Sequence, residues 1–94
     1  MFAIAFDLDV AAANRHHPGR NQRAYTDIRN ILIAHGFERI QGSTYAAAHE
    51  DQTKLYLALA MLHKLEWLGP CLKNLRVFRM EAGADFTKIM QSPR

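Results

Sequence analysis

Four side chains in this sequence have the types that phosphoryl chemistry uses: Asp7 and Asp9 in FDLD, Ser43 in QGS, and Arg76 in LRVFR. A carboxylate can take the proton of an attacking hydroxyl, a hydroxyl can position a phosphodiester, and a guanidinium can stabilise the charge that develops at phosphorus. Asp7 and Asp9 are two residues apart, which puts them on one face of a strand. That spacing could hold Mg²⁺ if a two-fold-related chain supplied further oxygens. The competing reading is a solvated acid at a strand end. It weighs more on Asp9 than on Asp7, because an ionisable group on the small-residue face of a strand is uncommon without a partner.

Other chemistry-bearing residues are weaker candidates. His16 and His17 could serve as acid and base in metal-independent RNA cleavage, but adjacent histidines in a loop usually do nothing. Tyr25, Tyr45 and Trp67 could stack on bases; Tyr45 shares the strand face of Ser43 and is the best of the three, whereas the core is the readier place for the others. Cys71 has no neighbouring histidine or basic cluster and reads as an inert thiol. Twelve Lys and Arg against nine Asp and Glu give a net charge of +3. Arginine can grip phosphate bidentately, so Arg29, Arg76 and Arg79 are candidate phosphate contacts, although a solvated surface explains an arginine excess about equally well.

The elements that must position these residues follow from periodicity. Phe2, Ile4, Phe6 and Leu8 alternate with Ala3, Ala5, Asp7 and Asp9, which is the period of a strand whose bulky face meets helices. Residues 11–20 carry Pro18-Gly19 after a short alanine stretch and read as a loop with a basic tip. Ala24, Ile28, Ile31 and Leu32 recur at helical spacing from about Asn21 to His35, with Gly36 at the capping position. Segments 37–41 and 43–48 suggest two strands around Gly42. Leu55, Leu59 and Leu62 mark a second helix over 51–68, ended by Gly69-Pro70. A last strand runs over 75–81, and residues 84–91 add a short helix or strand.

The order β, α, β, β, α, β predicts an α+β, ferredoxin-like sandwich: one antiparallel sheet in the order 4-1-3-2 with helices on one face. In that order strand one is central, and Asp7, Ser43 and Arg76 gather at one edge of the sheet. With two long helices to cover one face, the other face is expected to meet a second copy, and a domain of 94 residues gains much from such an interface. The whole chain reads as one domain, 1–94. The lone cysteine excludes an intramolecular disulfide and fits the reducing cytoplasm. The start MFAIAFDLDV carries acids by position 7 and lacks a basic leader, so it is a poor signal peptide and too short to span a bilayer.

The stretches AIAFDL (3–8), AYTDIRNIL (24–32), GFERIQGSTY (36–45), LEW (65–67), LRVFRME (75–81) and DFT (85–87), in this order and spacing, resemble the VapD family. The resemblance implies a homodimeric ferredoxin-like protein, similar in fold to the small CRISPR-associated nucleases. It also implies an endoribonuclease, often the toxin of a toxin–antitoxin pair linked to virulence or persistence, with RNA and an antitoxin protein as partners. The aspartate ending strand one, the proposed catalytic residue of such proteins, corresponds to Asp7, and the QGS motif places Ser43 beside it. The chain departs from the family pattern in the loop at 10–20 and in EAGADFT, which bears on substrate preference more than on fold. Whether a metal is needed stays open, Mg²⁺ on Asp7 being the candidate. The alternative function is a non-catalytic dimeric module that binds nucleic acid or a protein.

Overall fold

A computed structural model describes residues 1–48 and 51–80. The elements are β1 (Phe2–Leu8), α1 (Val10–His16), α2 (Arg20–Ala34), β2 (Glu38–Gln41), β3 (Thr44–Ala47), α3 (Gln52–His63), α4 (Leu68–Cys71) and β4 (Leu72–Arg79). The four strands form one antiparallel sheet in the order β2-β3-β1-β4, the expected order read from the other edge. Helices cover one face. The expected element over 84–91 lies outside the described residues.

Alternation along β1 sends Phe2, Ile4, Phe6 and Leu8 into the core, where they meet Ala24, Ile28 and Leu32 of α2 and Leu55, Ala58 and Leu62 of α3. Each helix buries one stripe at i, i+3 or i+4 spacing, the pattern of an amphipathic helix on a sheet. At the end of α2 the chain reverses through Gly36 at φ 87°, while the amide of Phe37 donates to the Leu32 carbonyl at 2.9 Å and that of Gly36 to Ile33 at 3.0 Å. This left-handed cap delivers Phe37, 1% exposed, into the core.

Three boundaries differ from the sequence expectation. Most of the expected loop at 11–20 is helix α1: the Asp9 carboxylate accepts from the Ala12 amide at 3.0 Å and starts it, and three alanines, the best helix formers, continue it. The second long helix stops at His63 rather than running to 68, and Gly69 and Pro70 lie within the short α4. The last strand begins at Leu72, three residues early, because a bulge between Asp7 and Leu8 lets Leu8 pair with Leu72. No helix among the described residues is long and apolar enough to cross a membrane.

Candidate active site

Asp7 is the next-to-last residue of the central strand and lies on the face away from the helices. Its cross-strand partner on β4 is Asn74, whose side-chain amide donates to the Asp7 carboxylate at 3.4 Å. Arg76 stands opposite Ala5, so it occupies the same face as Asp7, one diagonal position along, where cross-strand neighbours are about 7–8 Å apart. Thr44, also opposite Ala5 but on β3, adds a hydroxyl to this face. Asp7 is half-buried and Arg76 exposed, which leaves both within reach of a ligand at this end of the sheet.

Asp9 is not part of this group. The strand ends at Leu8, so the alternation that would put Asp9 beside Asp7 ends too, and the Asp9 carboxylate is engaged as the cap of α1. The Ala12 amide holds its pKa below the usual carboxylate value. The expected Asp7–Asp9 pair for a cation is therefore absent, and no group of three His, Cys, Asp or Glu side chains converges among the described residues.

Ser43 also departs from the expected cluster. The Phe6 amide donates to the Ser43 carbonyl at 3.1 Å, so Ser43 stands opposite Phe6, and its side chain falls on the helix side of the sheet. There it lines a cavity of about 290 Å³ with Tyr25, Thr26 and Arg29 of α2, Arg39 of β2, Gly42, and Tyr45 of β3. Asp7 and Ser43 are thus close along the sheet edge but on opposite faces. The face follows from the β1–β3 register: Tyr45 stands opposite Ile4 and Thr44 opposite Ala5, so Ser43 shares the helix side with Tyr45, as their two-residue spacing implies, and Asp7 does not.

Tyr45 is 3% exposed, with its ring stacked on Phe6 at a centroid distance of 6.1 Å and 14° between planes. Its face is covered by the core, so it cannot serve as a stacking platform for a base. Burial pushes the Tyr45 phenol up, and the charges of Arg39 and Arg29 act against that rise, which puts both guanidiniums in range of it. The Arg39 Nε donates to the Gly42 carbonyl at 2.9 Å. Arg79 sits at the far end of the sheet, opposite Phe2, with its guanidinium 5.7 Å from the centre of that ring. It stands five strand steps from the Asp7–Asn74 pair, a span of about 17 Å.

The histidine pair divides. His16 ends α1 and is exposed, whereas His17 is 8% exposed, with Nε2 2.6 Å from the Asp27 carboxylate and Nδ1 accepting from the Gly19 amide at 2.8 Å. The edge of its ring meets Trp67 at 4.5 Å. With both nitrogens occupied, His17 ties the α1–α2 turn to α2 and has no free lone pair for catalysis. Cys71 is fully buried, and burial raises its thiol pKa, as an inert structural cysteine requires.

Asn74 and Arg39 were not singled out from the sequence. Asn74 lies in what reads as a connection, and only the early start of β4 sets it opposite Asp7. Arg39 pairs with Tyr45 across the hairpin, a relation that the sequence contains but that needs the register to be seen.

Comparison with known proteins agrees with this architecture. Residues 1–88 match the family described as CRISPR associated protein Cas2. The chain is 41% identical over 92 residues to an "Endoribonuclease VapD homolog" of Neisseria gonorrhoeae, covering 98% of this chain and 100% of that protein. It is 40% identical to "Endoribonuclease VapD" of Haemophilus influenzae with the same coverage, and 34% identical over 94 residues to the Helicobacter pylori protein of that name, again covering 98% and 100%. The resemblance read in the sequence thus extends over nearly the whole chain, which belongs to the Cas2-like VapD family.

Proposed function

We propose that this chain is an endoribonuclease and that the sheet face around Asp7 is where RNA is cut. The observation that carries the reading is the position of Asp7: a half-buried carboxylate at the end of the central strand, steadied by Asn74 and flanked by Arg76, in a chain whose full-length relatives bear the name endoribonuclease. In the proposed step Asp7 takes the proton of the attacking hydroxyl, the oxygen attacks phosphorus, and the leaving oxygen departs with the electrons of the broken P–O bond and is protonated by solvent. Arg76 offsets the charge on the phosphoryl oxygens meanwhile. Ser43 and Arg29, on the other side of the sheet edge, contact the substrate backbone.

Among the described residues this face offers a single carboxylate, since Asp9 is engaged as a cap, and one carboxylate is too small a donor set for a resident Mg²⁺. Further oxygens would have to come from a second copy and from substrate phosphates. The step is written without the ion, and cleavage assayed in EDTA and in Mg²⁺ distinguishes general-base from metal-assisted action.

A homodimer formed through the sheet face away from the helices belongs to the same reading, because the half-buried Ala5 and Ala46 are small enough there for close approach of a second copy. A toxin role restrained by an antitoxin, in the cytoplasm where RNA and a reduced Cys71 coexist, completes it. Purified protein incubated with a defined RNA tests the proposal: Asp7→Ala is expected to lose cleavage while keeping its melting temperature. RNA binding without cleavage by the wild type would favour the non-catalytic module.

A further inference from the structure

The cavity on the helix side of the sheet contains polar groups that the cleavage step does not use. Its volume of about 290 Å³ is at the small end of ligand pockets, with room for a phosphate or one nucleotide and not for a longer segment. Its walls carry two guanidiniums, from Arg29 and Arg39, and the hydroxyl-bearing side chains Thr26, Ser43, Tyr25 and Tyr45. Ser43 and Tyr45 are 6% and 3% exposed, so two of these polar groups are held in place by the surrounding protein.

Arg39 is itself oriented. Its Nε donates to the carbonyl of Gly42 across the turn, which restrains the guanidinium and leaves the terminal nitrogens' donors for another acceptor. Among the described residues neither Arg29 nor Arg39 has a carboxylate within ion-pair distance, and His17 with Asp27 forms the one such pair there. Two like charges lining one polar cavity, with no carboxylate among the described residues that line it, favour an anion from outside. A planar guanidinium beside hydroxyls is a geometry that phosphate oxygens satisfy.

We propose that this cavity is a phosphate subsite for the RNA backbone and that it holds a phosphate other than the one cleaved at Asp7. This deepens the ribonuclease reading and rests on it. Because Ser43 and Asp7 stand on opposite faces of adjoining strands, a phosphate seated on Ser43, Arg29 and Arg39 cannot also be the one at which Asp7 acts as base. The RNA crosses the edge of the sheet, with the cavity holding the chain on one side and Asp7 acting on the other. Arg39 is thereby a substrate-positioning residue.

The test uses the full chain and its Arg39→Ala, Arg39→Lys, Arg29→Ala and Lys73→Ala variants. Inorganic phosphate is titrated into each and followed by amide chemical shifts; RNA binding and steady-state cleavage are measured in parallel, and thermal melts confirm folding. Losing a charge-assisted contact is expected to weaken phosphate binding about tenfold in Arg39→Ala and Arg29→Ala, and to raise the RNA Kd and KM by a similar factor with kcat changed less than twofold. Arg39→Lys recovers part of the loss. Lys73→Ala removes the same charge from β4, at the opposite edge of the sheet, and leaves phosphate binding at the wild-type value.

Wild-type phosphate affinity in folded Arg39→Ala and Arg29→Ala would overturn the inference, as would an equal loss in Lys73→Ala. Weaker phosphate binding with unchanged RNA Kd and KM would also overturn it, by making free phosphate the occupant. A wild type that binds RNA through Arg39 yet cuts none would sink the ribonuclease reading and support the subsite, so the two failures are distinguishable.

Discussion

At the scale of single residues, the chemistry depends on how few partners Asp7 has. Asn74 donates to it from the paired position on β4, and shortening that side chain to alanine removes the contact while leaving the backbone ladder in place. Steady-state kinetics of Asn74→Ala are expected to show kcat reduced about 5- to 10-fold with KM little changed, because a base that wanders from its working position loses rate before it loses affinity. His17 makes the opposite case: its two nitrogens are both bonded, so its removal affects folding rather than cleavage. Denaturant unfolding of His17→Ala is expected to show a loss of about 2 kcal/mol, the cost of stranding the groups it satisfied. For Asp9 the cap lowers the pKa, so the stabilisation it brings is complete above the ordinary carboxylate pKa and is lost as pH falls through the lowered value. Thermal melts should therefore show Asp9→Ala a few degrees below wild type at neutral pH, with the two curves converging in acid.

At the scale of elements, what could be read from the sequence is what a simple period encodes. The alternation in β1 and the i, i+4, i+8 stripe of Ala24, Ile28 and Leu32 identify the central strand and the long helix, and the order of elements then predicts the sheet order. What could not be read lies where a period is interrupted. The alanines of α1 are obscured by the Pro18-Gly19 that follows, and only the Asp9 cap tells a helix from a loop there. The face of Ser43 relative to Asp7 depends on the β1–β3 register, which neither strand's own sequence reveals, and Asn74 becomes visible only once the bulge after Asp7 is known. Asp7 and Arg76 share a face at one end of the sheet, while Ser43, expected with them, lies on the opposite face. The cap of α2 gives the element-scale prediction: Gly36 at φ 87° tolerates no Cβ without strain, so Gly36→Ala is expected to cost about 1 kcal/mol in unfolding experiments.

At the scale of the molecule, one sheet divides two kinds of surface. Helices and a phosphate-sized cavity occupy one side, and a flat face carrying Asp7, Arg76 and small residues occupies the other. If a second copy covers that flat face, a bulky charge at its centre prevents association, and light scattering of Ala5→Arg is expected to give the mass of a monomer where the wild type gives that of a dimer. The central claim is that Asp7 does the chemistry, and the most direct test compares RNA cleavage by Asp7→Asn with wild type under identical conditions. The replacement is nearly isosteric and keeps the cross-strand neighbour, so folding should be unaffected. A general base accounts for roughly 10²–10⁴-fold in rate, and the expected result is a loss of at least about 100-fold with an unchanged melting temperature. Cleavage by Asp7→Asn within twofold of wild type would contradict the account.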